Sequence, residues 1–147
     1  MKSKVLAIIP ARGGSKSIPR KNLIKIIDKP LIAWTIDIAK SCKNIDRVIV
    51  STDDQEIAQV SRSYGAEVPF IRPHKYATDV SRDIEYHLHA LNWLKQNESY
   101  EPDALVNLRP TTPLRDPNII DNAIKIFLEN PNYDSLRSVQ IAKENPF

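Results

Sequence analysis

The hydrophobic positions of the chain fall into short runs separated by longer segments of mixed character. The run Lys4–Pro10 is almost continuously apolar, as in a strand buried on both faces of a parallel sheet. Four further runs have the length and the β-branched content of strands. These predicted strands are Asp46–Ser51, Glu67–Ile71, Ala104–Leu108 and Asp134–Ile141.

The segments between the first runs carry helical periodicity. One helix is predicted from Pro30, which suits the first turn of a helix because its fixed φ is already helical. Asp53 followed by Glu56 has the form of a capping box and predicts a second helix that ends at Gly65. In the first helix the periodic positions are Leu31, Trp34, Thr35, Ile38 and Cys42.

Two longer helices are predicted in the second half of the chain. The segment from Ser81 to about Gln96 is amphipathic. Another helix begins at the cap Asp116, continues through Ile120, Ile124 and Phe127, and stops at Asn130-Pro131. In the 81–96 segment the predicted apolar face consists of Ile84, Leu88, Leu91 and Leu94.

The order of these elements predicts the fold class. Strands alternate with helices at lengths typical of right-handed βαβ units, which build a parallel sheet. No repeat, low-complexity tract or linker interrupts the pattern. We therefore expect one α/β domain over residues 1–147, with a Rossmann-like, mostly parallel sheet flanked by helices.

Composition narrows the class of protein. The chain has 147 residues, of which 41% are hydrophobic and 27% charged, as in ordinary globular domains. No apolar run approaches the ~20 residues of a membrane span, and the N-terminal run is too short for a signal peptide. A single cysteine, Cys42, excludes an internal disulfide and a cysteine-based zinc cluster. These features predict a cytoplasmic, non-redox enzyme or binding domain without a membrane partner.

The charge is concentrated in one loop. The net charge is only +3, yet five basic residues and no acidic residue lie between Arg12 and Lys25. Binding to nucleic acid usually needs a broad basic face that contacts about six or more phosphates. A single short loop suits a compact polyphosphate better, so we expect no nucleic-acid partner.

This loop follows the first predicted strand, where ligands bind in open α/β sheets. Gly13 and Gly14 allow a tight turn that brings backbone N–H groups close to phosphate oxygens. Arg12, Lys16 and Lys21 can neutralise phosphate charge, and arginine can do so through two parallel hydrogen bonds. The loop matches neither the Walker A pattern nor the dinucleotide pattern G-x-G-x-x-G.

The chain resembles the acylneuraminate cytidylyltransferases, which are the CMP-sialic acid synthetases and their relatives that act on legionaminic and pseudaminic acids. The motifs that carry the resemblance occur in the family's order and extend over essentially the whole chain. They are Ile9–Asn22, Lys29–Ile32, Val50–Asp54 with Glu56–Ala58, Tyr64–Glu67, Arg109–Arg115 and Asp134–Val139.

The resemblance implies a nucleotidyltransferase-type fold and the transfer of CMP from CTP to the anomeric hydroxyl of a nonulosonic acid, with release of pyrophosphate. It assigns catalytic roles to Lys21, which would stabilise the reacting phosphate, and to Arg12, which would hold the nucleotide. Arg109 would lie near the cytosine pocket. The implied nucleotide-binding set is Arg12, Gly13, Gly14, Ser15, Lys16, Lys21, Asn22, Arg72, Ser81 and Arg109.

The resemblance also implies Mg²⁺ as cofactor and a homodimer for the full-length protein. The family's metal-binding Asp-x-Asp pair, dimerisation segment and sugar-binding residues would all lie beyond Phe147, so the chain corresponds to an N-terminal nucleotide-binding portion. Ser17 stands where a glycine is usual, and a left-handed backbone there would cost serine about 1 kcal/mol. Arg109 stands where glutamine is common and offers the base a different set of donors and acceptors.

Other interpretations exist for individual residues and for the function. Asp53 and Asp54 could bind a metal, but a helix cap is the better interpretation. On a helix, His87 and His89 point in different directions and do not form a zinc pair. A nucleotide-binding module without turnover and a nucleotidyltransferase for another sugar acid are the alternatives to the function above.

Overall fold

The computed structural model describes residues 2–139. In chain order the strands are β1 (Val5–Pro10), β2 (Lys25–Ile26), β3 (Lys29–Pro30), β4 (Arg47–Ser51) and β5 (Ala104–Asn107). The helices are α1 (Leu31–Ser41), α2 (Gln55–Ser63), α3 (Asp83–Glu98) and α4 (Pro117–Glu129). Short 3₁₀ turns occur at Lys21–Leu23 and His74–Tyr76.

The main sheet has three parallel strands in the order β4-β1-β5. Ile8 in the central strand pairs with Ile49 on one side and with Asn107 on the other. All three strands therefore end at the same edge, and the loops that follow them lie side by side. The predicted parallel sheet flanked by helices is confirmed.

The central strand β1 is buried on both faces, which explains its continuous apolar sequence. Its side chains alternate between two cores. Ala7 and Ile9 pack into the cluster beneath α1 and α2, whereas Leu6 and Ile8 pack toward α3. A smaller cluster between the sheet and α4 is centred on Ile124.

Two predicted strands are wrong within the described residues. In the predicted strand Glu67–Ile71, Glu67 alone pairs with the sheet, through a parallel bridge to Ile49. Pro69 follows closely and has no N–H group to extend the ladder. In the predicted strand Asp134–Ile141, residues 134–139 are irregular and exposed, with no neighbouring strand to pair with, and residues 140 and 141 lie outside the described range.

The helices are confirmed, with corrections in detail. Helix α2 is capped by Asp54 rather than Asp53, because the Asp54 carboxylate accepts the Ile57 N–H at 3.0 Å. Helix α1 begins one residue after Pro30, which pairs with Lys25 in the β2–β3 hairpin. That hairpin was not predicted.

The buried face of α3 matches the predicted one in part. Leu94 is buried and Leu91 packs against the same core, as predicted, whereas Ile84 and Leu88 are about half exposed and Tyr86 and Ala90 take their place. Tyr86 is buried in the core beneath α3, and its hydroxyl donates to the Asn107 side chain at the end of β5 at 3.3 Å. No helix within residues 2–139 is long and apolar enough to cross a membrane.

Candidate functional site

A cavity of about 340 Å³ lies at the edge where the parallel strands end. Three segments line it. The first is the basic loop after β1, the second runs from residue 72 into the start of α3, and the third is the segment after β5. The cavity therefore lies where ligands bind in open α/β sheets.

Most of the predicted binding residues meet at this cavity. Gly13, Gly14 and Lys16 do not line it, although Lys16 contacts a residue that does. The predicted residues that line the cavity are Arg12, Ser15, Lys21, Asn22, Arg72, Ser81 and Arg109.

The two glycines of the basic loop differ in their surroundings. A Cβ on Gly13 would lie 2.6 Å from Asp54 Oδ2 and 3.0 Å from Asp54 Cβ, whereas a Cβ on Gly14 would meet no atom within 4 Å. The Gly13 N–H donates to Asp53 Oδ1 at 2.9 Å, so this amide binds the protein itself. Gly13 is thus required by the close approach of the loop to the start of α2.

Asp53 and Asp54, considered from sequence as metal ligands, both bind the loop instead. Arg20 in the loop donates to Asp54 at 2.5 Å and also pairs with Glu56. Arg20 has a left-handed backbone, with φ of 55°. These contacts fasten the basic loop to the N-terminus of α2 at several points.

Arg12 and Lys16 share one carboxylate. Arg12 NH1 lies 2.6 Å from Asp79 Oδ1, and Lys16 Nζ contacts Asp79 Oδ2. The hydrogen bonds from Lys16 and Arg12 hold the pKa of Asp79 below its ordinary value. Two of the cations predicted to bind phosphate therefore already bind an anionic group of the chain.

Arg72 supports the site from beneath. It is 4% exposed, and its guanidinium donates to the Ser51 carbonyl at 2.8 Å and to the Tyr76 carbonyl at 3.2 Å. Burial lowers the pKa of Arg72, and the nearby charge of Asp53 opposes that shift. Its Nε is buried without a hydrogen-bond partner in the described chain.

Ser81 holds the turn that carries Asp79. Its hydroxyl accepts the Thr78 N–H at 3.1 Å and donates to the Lys75 carbonyl at 3.2 Å. Ser81 therefore stabilises the wall of the cavity.

Lys21 and Asn22 occupy the middle of the basic loop. The Asn22 amide is buried and donates to the Arg12 carbonyl at 3.3 Å, which fixes the backbone beside Arg12. Lys21 lines the cavity and makes no ion pair with any residue in the described range. Ser17 is outside the left-handed region, so the strain considered for this position does not arise here.

At the end of β5, Arg109 forms an ion pair with Asp83. The hydrogen bond that Arg109 donates to Asp83, together with the negative charge of Asp83, raises the pKa of Arg109. Burial opposes the ionisation of Asp83, but the hydrogen bond and charge of Arg109 keep its pKa below the ordinary value. Both side chains are thus charged at neutral pH.

The two acidic residues of the cavity, Asp79 and Asp83, were not found by sequence reasoning. They lie about sixty residues after the basic loop, on the segment that forms the opposite wall. The available signal is that both follow Arg72 closely, just before the amphipathic helix. That signal becomes useful only once the fold shows that this segment faces the loop.

The histidines and the cysteine stay away from the cavity wall. His87 packs edge-on against Tyr86, whereas His89 packs against Phe70, so the two rings have different neighbours as expected for a helix. Cys42 is buried at the end of α1. Within residues 2–139 no group of three His, Cys, Asp or Glu side chains is arranged to hold a metal ion.

Chemically, the cavity has a cationic end at the basic loop and, after β5, a mixed end that carries both a donor, Arg109, and an acceptor, Asp83. Arg12, Lys16 and Lys21 supply positive charge at the basic loop, and Arg109 with Asp83 supplies paired donors and acceptors after β5. A ligand with a polyphosphate at one end and a polar, uncharged group at the other matches this distribution.

The chain was compared with known proteins. The family model described as Cytidylyltransferase matches residues 6–146. The chain is 40% identical over 139 residues to an N-acylneuraminate cytidylyltransferase from Escherichia coli O18:K1:H7, covering 95% of this chain and 32% of that protein. It is 41% identical over 128 residues to a pseudaminic acid cytidylyltransferase from Campylobacter jejuni, covering 86% of this chain and 54% of that protein.

Among solved structures, a CMP:2-keto-3-deoxy-manno-octonic acid synthetase in complex with CTP superimposes with a TM-score of 0.74 at 25% identity. The match covers 88% of this chain and 49% of that one. The chain thus spans about a third to a half of the length of these relatives.

Proposed function

Because the chain belongs to the cytidylyltransferase family, we propose that it binds CTP and transfers CMP to the anomeric hydroxyl of a nonulosonic, sialic-acid-like sugar, with release of pyrophosphate. The observation that carries this proposal is the convergence of Arg12, Lys21 and Arg109 on one cavity at the ends of β1 and β5. The names of the relatives that act on N-acylneuraminate and pseudaminic acid support the class of acceptor.

In this reaction the acceptor oxygen attacks the α-phosphorus, and the bond to the bridging oxygen breaks as pyrophosphate leaves with the electron pair. Negative charge builds on the leaving oxygen, so cations fixed nearby lower the barrier. Lys21 suits this role because it faces the cavity with no competing carboxylate among residues 2–139. Arg12 holds the nucleotide in line, which supplies positioning.

Nucleotide binding requires an exchange at Arg12 and Lys16. Both cations are engaged by Asp79, so a phosphate group must take over from that carboxylate or join it.

Mg²⁺ remains a prediction from the resemblance. The cavity carboxylates Asp79 and Asp83 are already paired with arginine or lysine, and the described residues form no metal-binding group. These residues alone do not fit a Mg²⁺ site, and no step above depends on the ion. The homodimer, the cytoplasmic location and the absence of a nucleic-acid partner likewise remain predictions.

A second candidate function is nucleotide binding without turnover. The observation that favours it is that Asp79 already engages Arg12 and Lys16, two of the cations of the basic loop. An enzyme for another sugar acid is a third candidate, favoured by the structural match to the octonic acid synthetase.

The test uses this chain with CTP, UTP, ATP and GTP, and then CTP and Mg²⁺ with N-acetylneuraminic, pseudaminic, legionaminic and octulosonic acids. Thermal stabilisation reports binding, and pyrophosphate release reports turnover. Selective stabilisation by CTP with turnover on one of the three nonulosonic acids supports the proposal. Stabilisation without turnover favours the binding module, turnover on octulosonic acid alone favours the third candidate, and no response to any nucleotide contradicts nucleotide binding.

A matched pair of lysine variants tests the catalytic assignment. Lys21→Ala should lower turnover by about a hundredfold or more, as for other groups that stabilise transition-state charge. Lys25→Ala is the control, because Lys25 is exposed on β2 and does not line the cavity. Equal losses in the two variants would contradict the role of Lys21.

A further inference from the structure

The mixed end of the cavity presents a donor and an acceptor side by side. Arg109 NH2 donates to Asp83 Oδ2, and Asn107 Nδ2 donates to the same oxygen at 3.4 Å. Asp83 Oδ1 accepts no hydrogen bond from the described residues, and the remaining N–H groups of Arg109 are likewise free of hydrogen bonds there. One acceptor and several donors are therefore available to a ligand at this end.

This pair is held in position by its neighbours. The Tyr86 hydroxyl donates to Asn107 Oδ1 at 3.3 Å, which directs the Asn107 amide toward Asp83. Arg115 donates to the Arg109 carbonyl at 2.9 Å and fixes the backbone after β5. The pair is therefore organised before any ligand binds, which limits the cost of ordering it on binding.

The chemistry of this end suits a neutral ring with both donors and acceptors. A phosphate or a carboxylate bound to Arg109 would lie beside the negative charge of Asp83 and be repelled, whereas at the basic loop Lys21, which makes no ion pair among residues 2–139, offsets the charge of Asp79. The phosphates of a nucleotide have the cations of the basic loop at the opposite end. The ribose and the base remain for the Arg109–Asp83 pair, and of the two the base offers a planar edge of donors and acceptors that matches the planar fork of Arg109 beside a carboxylate.

Of the two pyrimidines, cytosine offers an exocyclic N4 amino group as donor, next to the N3 acceptor. Uracil has the O4 acceptor at the same position, and a carboxylate facing it would bring two acceptors together. We propose that Asp83 is a specificity-determining residue that accepts a hydrogen bond from the amino group of cytosine through Oδ1, while Arg109 donates to the adjacent ring acceptors. This inference rests on the proposed function, because it requires a nucleotide in this cavity.

The experiment measures dissociation constants of the full chain for CTP and UTP by calorimetry at fixed ionic strength. We expect the unaltered chain to prefer CTP at least about fivefold, the lower range for one well-placed base contact. Asp83→Ala should weaken CTP binding and bring the ratio close to one. Asp83→Asn should also lower the ratio, but by improving UTP binding, because its amide can donate to O4.

Asp79→Asn is the matched control. It removes the same charge from the same cavity, but at the end where Arg12 and Lys16 lie. It should change the affinities for CTP and UTP by the same factor and leave their ratio unchanged. A ratio that falls equally in the Asp79 and Asp83 variants would show a general charge effect and overturn the inference.

Two further outcomes would overturn it in distinguishable ways. Selective CTP binding that survives in both Asp83 variants removes Asp83 from base recognition while leaving nucleotide binding intact. A folded, unaltered chain that binds neither nucleotide removes the inference together with the proposed function. Circular dichroism of each variant establishes that it is folded, and if Asp83→Ala does not fold, the improved UTP binding of Asp83→Asn decides the question alone.

Discussion

The contact between Gly13 and Asp54 makes a quantitative prediction about how the basic loop is built. An alanine Cβ at position 13 would overlap Asp54 Oδ2 at 2.6 Å and crowd Asp54 Cβ at 3.0 Å. Rotating the Asp54 side chain relieves the overlap with Oδ2 only by breaking the cap on α2, and it leaves the contact with Cβ, which is attached to the backbone. In Gly13→Ala, either the loop or the first turn of α2 must therefore move.

The expected loss in the free energy of unfolding of Gly13→Ala follows from the role of Asp54 in capping α2. Its carboxylate caps α2 by accepting the Ile57 N–H at 3.0 Å, and losing such a cap costs about 1–2 kcal/mol. Its ion pair with the half-exposed Arg20 adds little, because solvent screens it. For a chain of this size the loss corresponds to a fall in melting temperature of roughly 2–8 °C.

The assay is urea unfolding followed by circular dichroism, with Gly14→Ala as the control. An alanine at position 14 meets no atom within 4 Å and needs no positive φ, so its free energy of unfolding should stay within about 0.5 kcal/mol of the parent. Asp54→Gly removes every overlapping atom and keeps a tolerated N-cap, so adding Gly13→Ala to it should cost almost nothing. If Gly13→Ala is as stable as Gly14→Ala, or costs as much in the Asp54→Gly background, the reasoning is refuted.

Three further predictions concern single residues. Ile27 is exposed and has a left-handed backbone, with φ of 64°. Because asparagine tolerates this conformation better than isoleucine, Ile27→Asn should raise the free energy of unfolding by about 1 kcal/mol in urea titrations. A free energy of unfolding below that of the parent would contradict this. Burial, then the charges of Arg72 and Lys75, lower the pKa of His89, so the unfolded chain binds this proton more readily. The contribution of His89 to the free energy of unfolding is therefore present above about pH 6.5 and is lost as the pH falls below that value. Between pH 7.5 and 5.5 the free energy of unfolding should fall less in His89→Gln than in the parent. An equal fall in the two proteins would contradict this assignment. Burial, and then the negative charge of Asp121, raise the pKa of Cys42 to about 11. A thiol reagent at pH 8 should therefore label Cys42 only as fast as the chain unfolds locally, and rapid labelling without denaturant would contradict this.

The parts of the fold that could be predicted are those set by local patterns. The uninterrupted apolar run of β1 requires burial on both faces, and Asp116 before a proline caps α4 as expected, accepting the Asn118 N–H at 2.9 Å. The region around Glu67 could not be predicted in this way. Its β-branched residues favour a strand, but Pro69 and the path toward Arg72 limit pairing to one bridge.

The other differences concern the choice between neighbouring residues within correctly predicted helices. Asp53 and Asp54 are equally good caps by sequence, and the choice is made by the loop after β1, whose Gly13 N–H binds Asp53. The apolar positions of α3 suggested a face containing Ile84 and Leu88. The helix instead places Tyr86 and Ala90 beside Leu94 in the core, where the Tyr86 hydroxyl donates to Asn107, and periodicity of hydrophobic residues cannot detect such a polar contact.

The charge of the site was predicted only in part, for a related reason. The basic loop was identified because glycines and cations follow a strand, but a count of its charges overstates what is free to bind phosphate. Arg20 is bound by Asp54 and Glu56, and Arg12 shares Asp79 with Lys16.

When a triphosphate replaces Asp79, Arg12 and Lys16 exchange one anionic partner for another. The net gain at the phosphate end is therefore smaller than the number of cations suggests. Lys21, which makes no ion pair among residues 2–139, is the cation whose charge that exchange does not diminish. It follows that free phosphate should bind weakly, and that under the proposed function most of the selectivity among nucleotides should come from contacts outside the phosphate end.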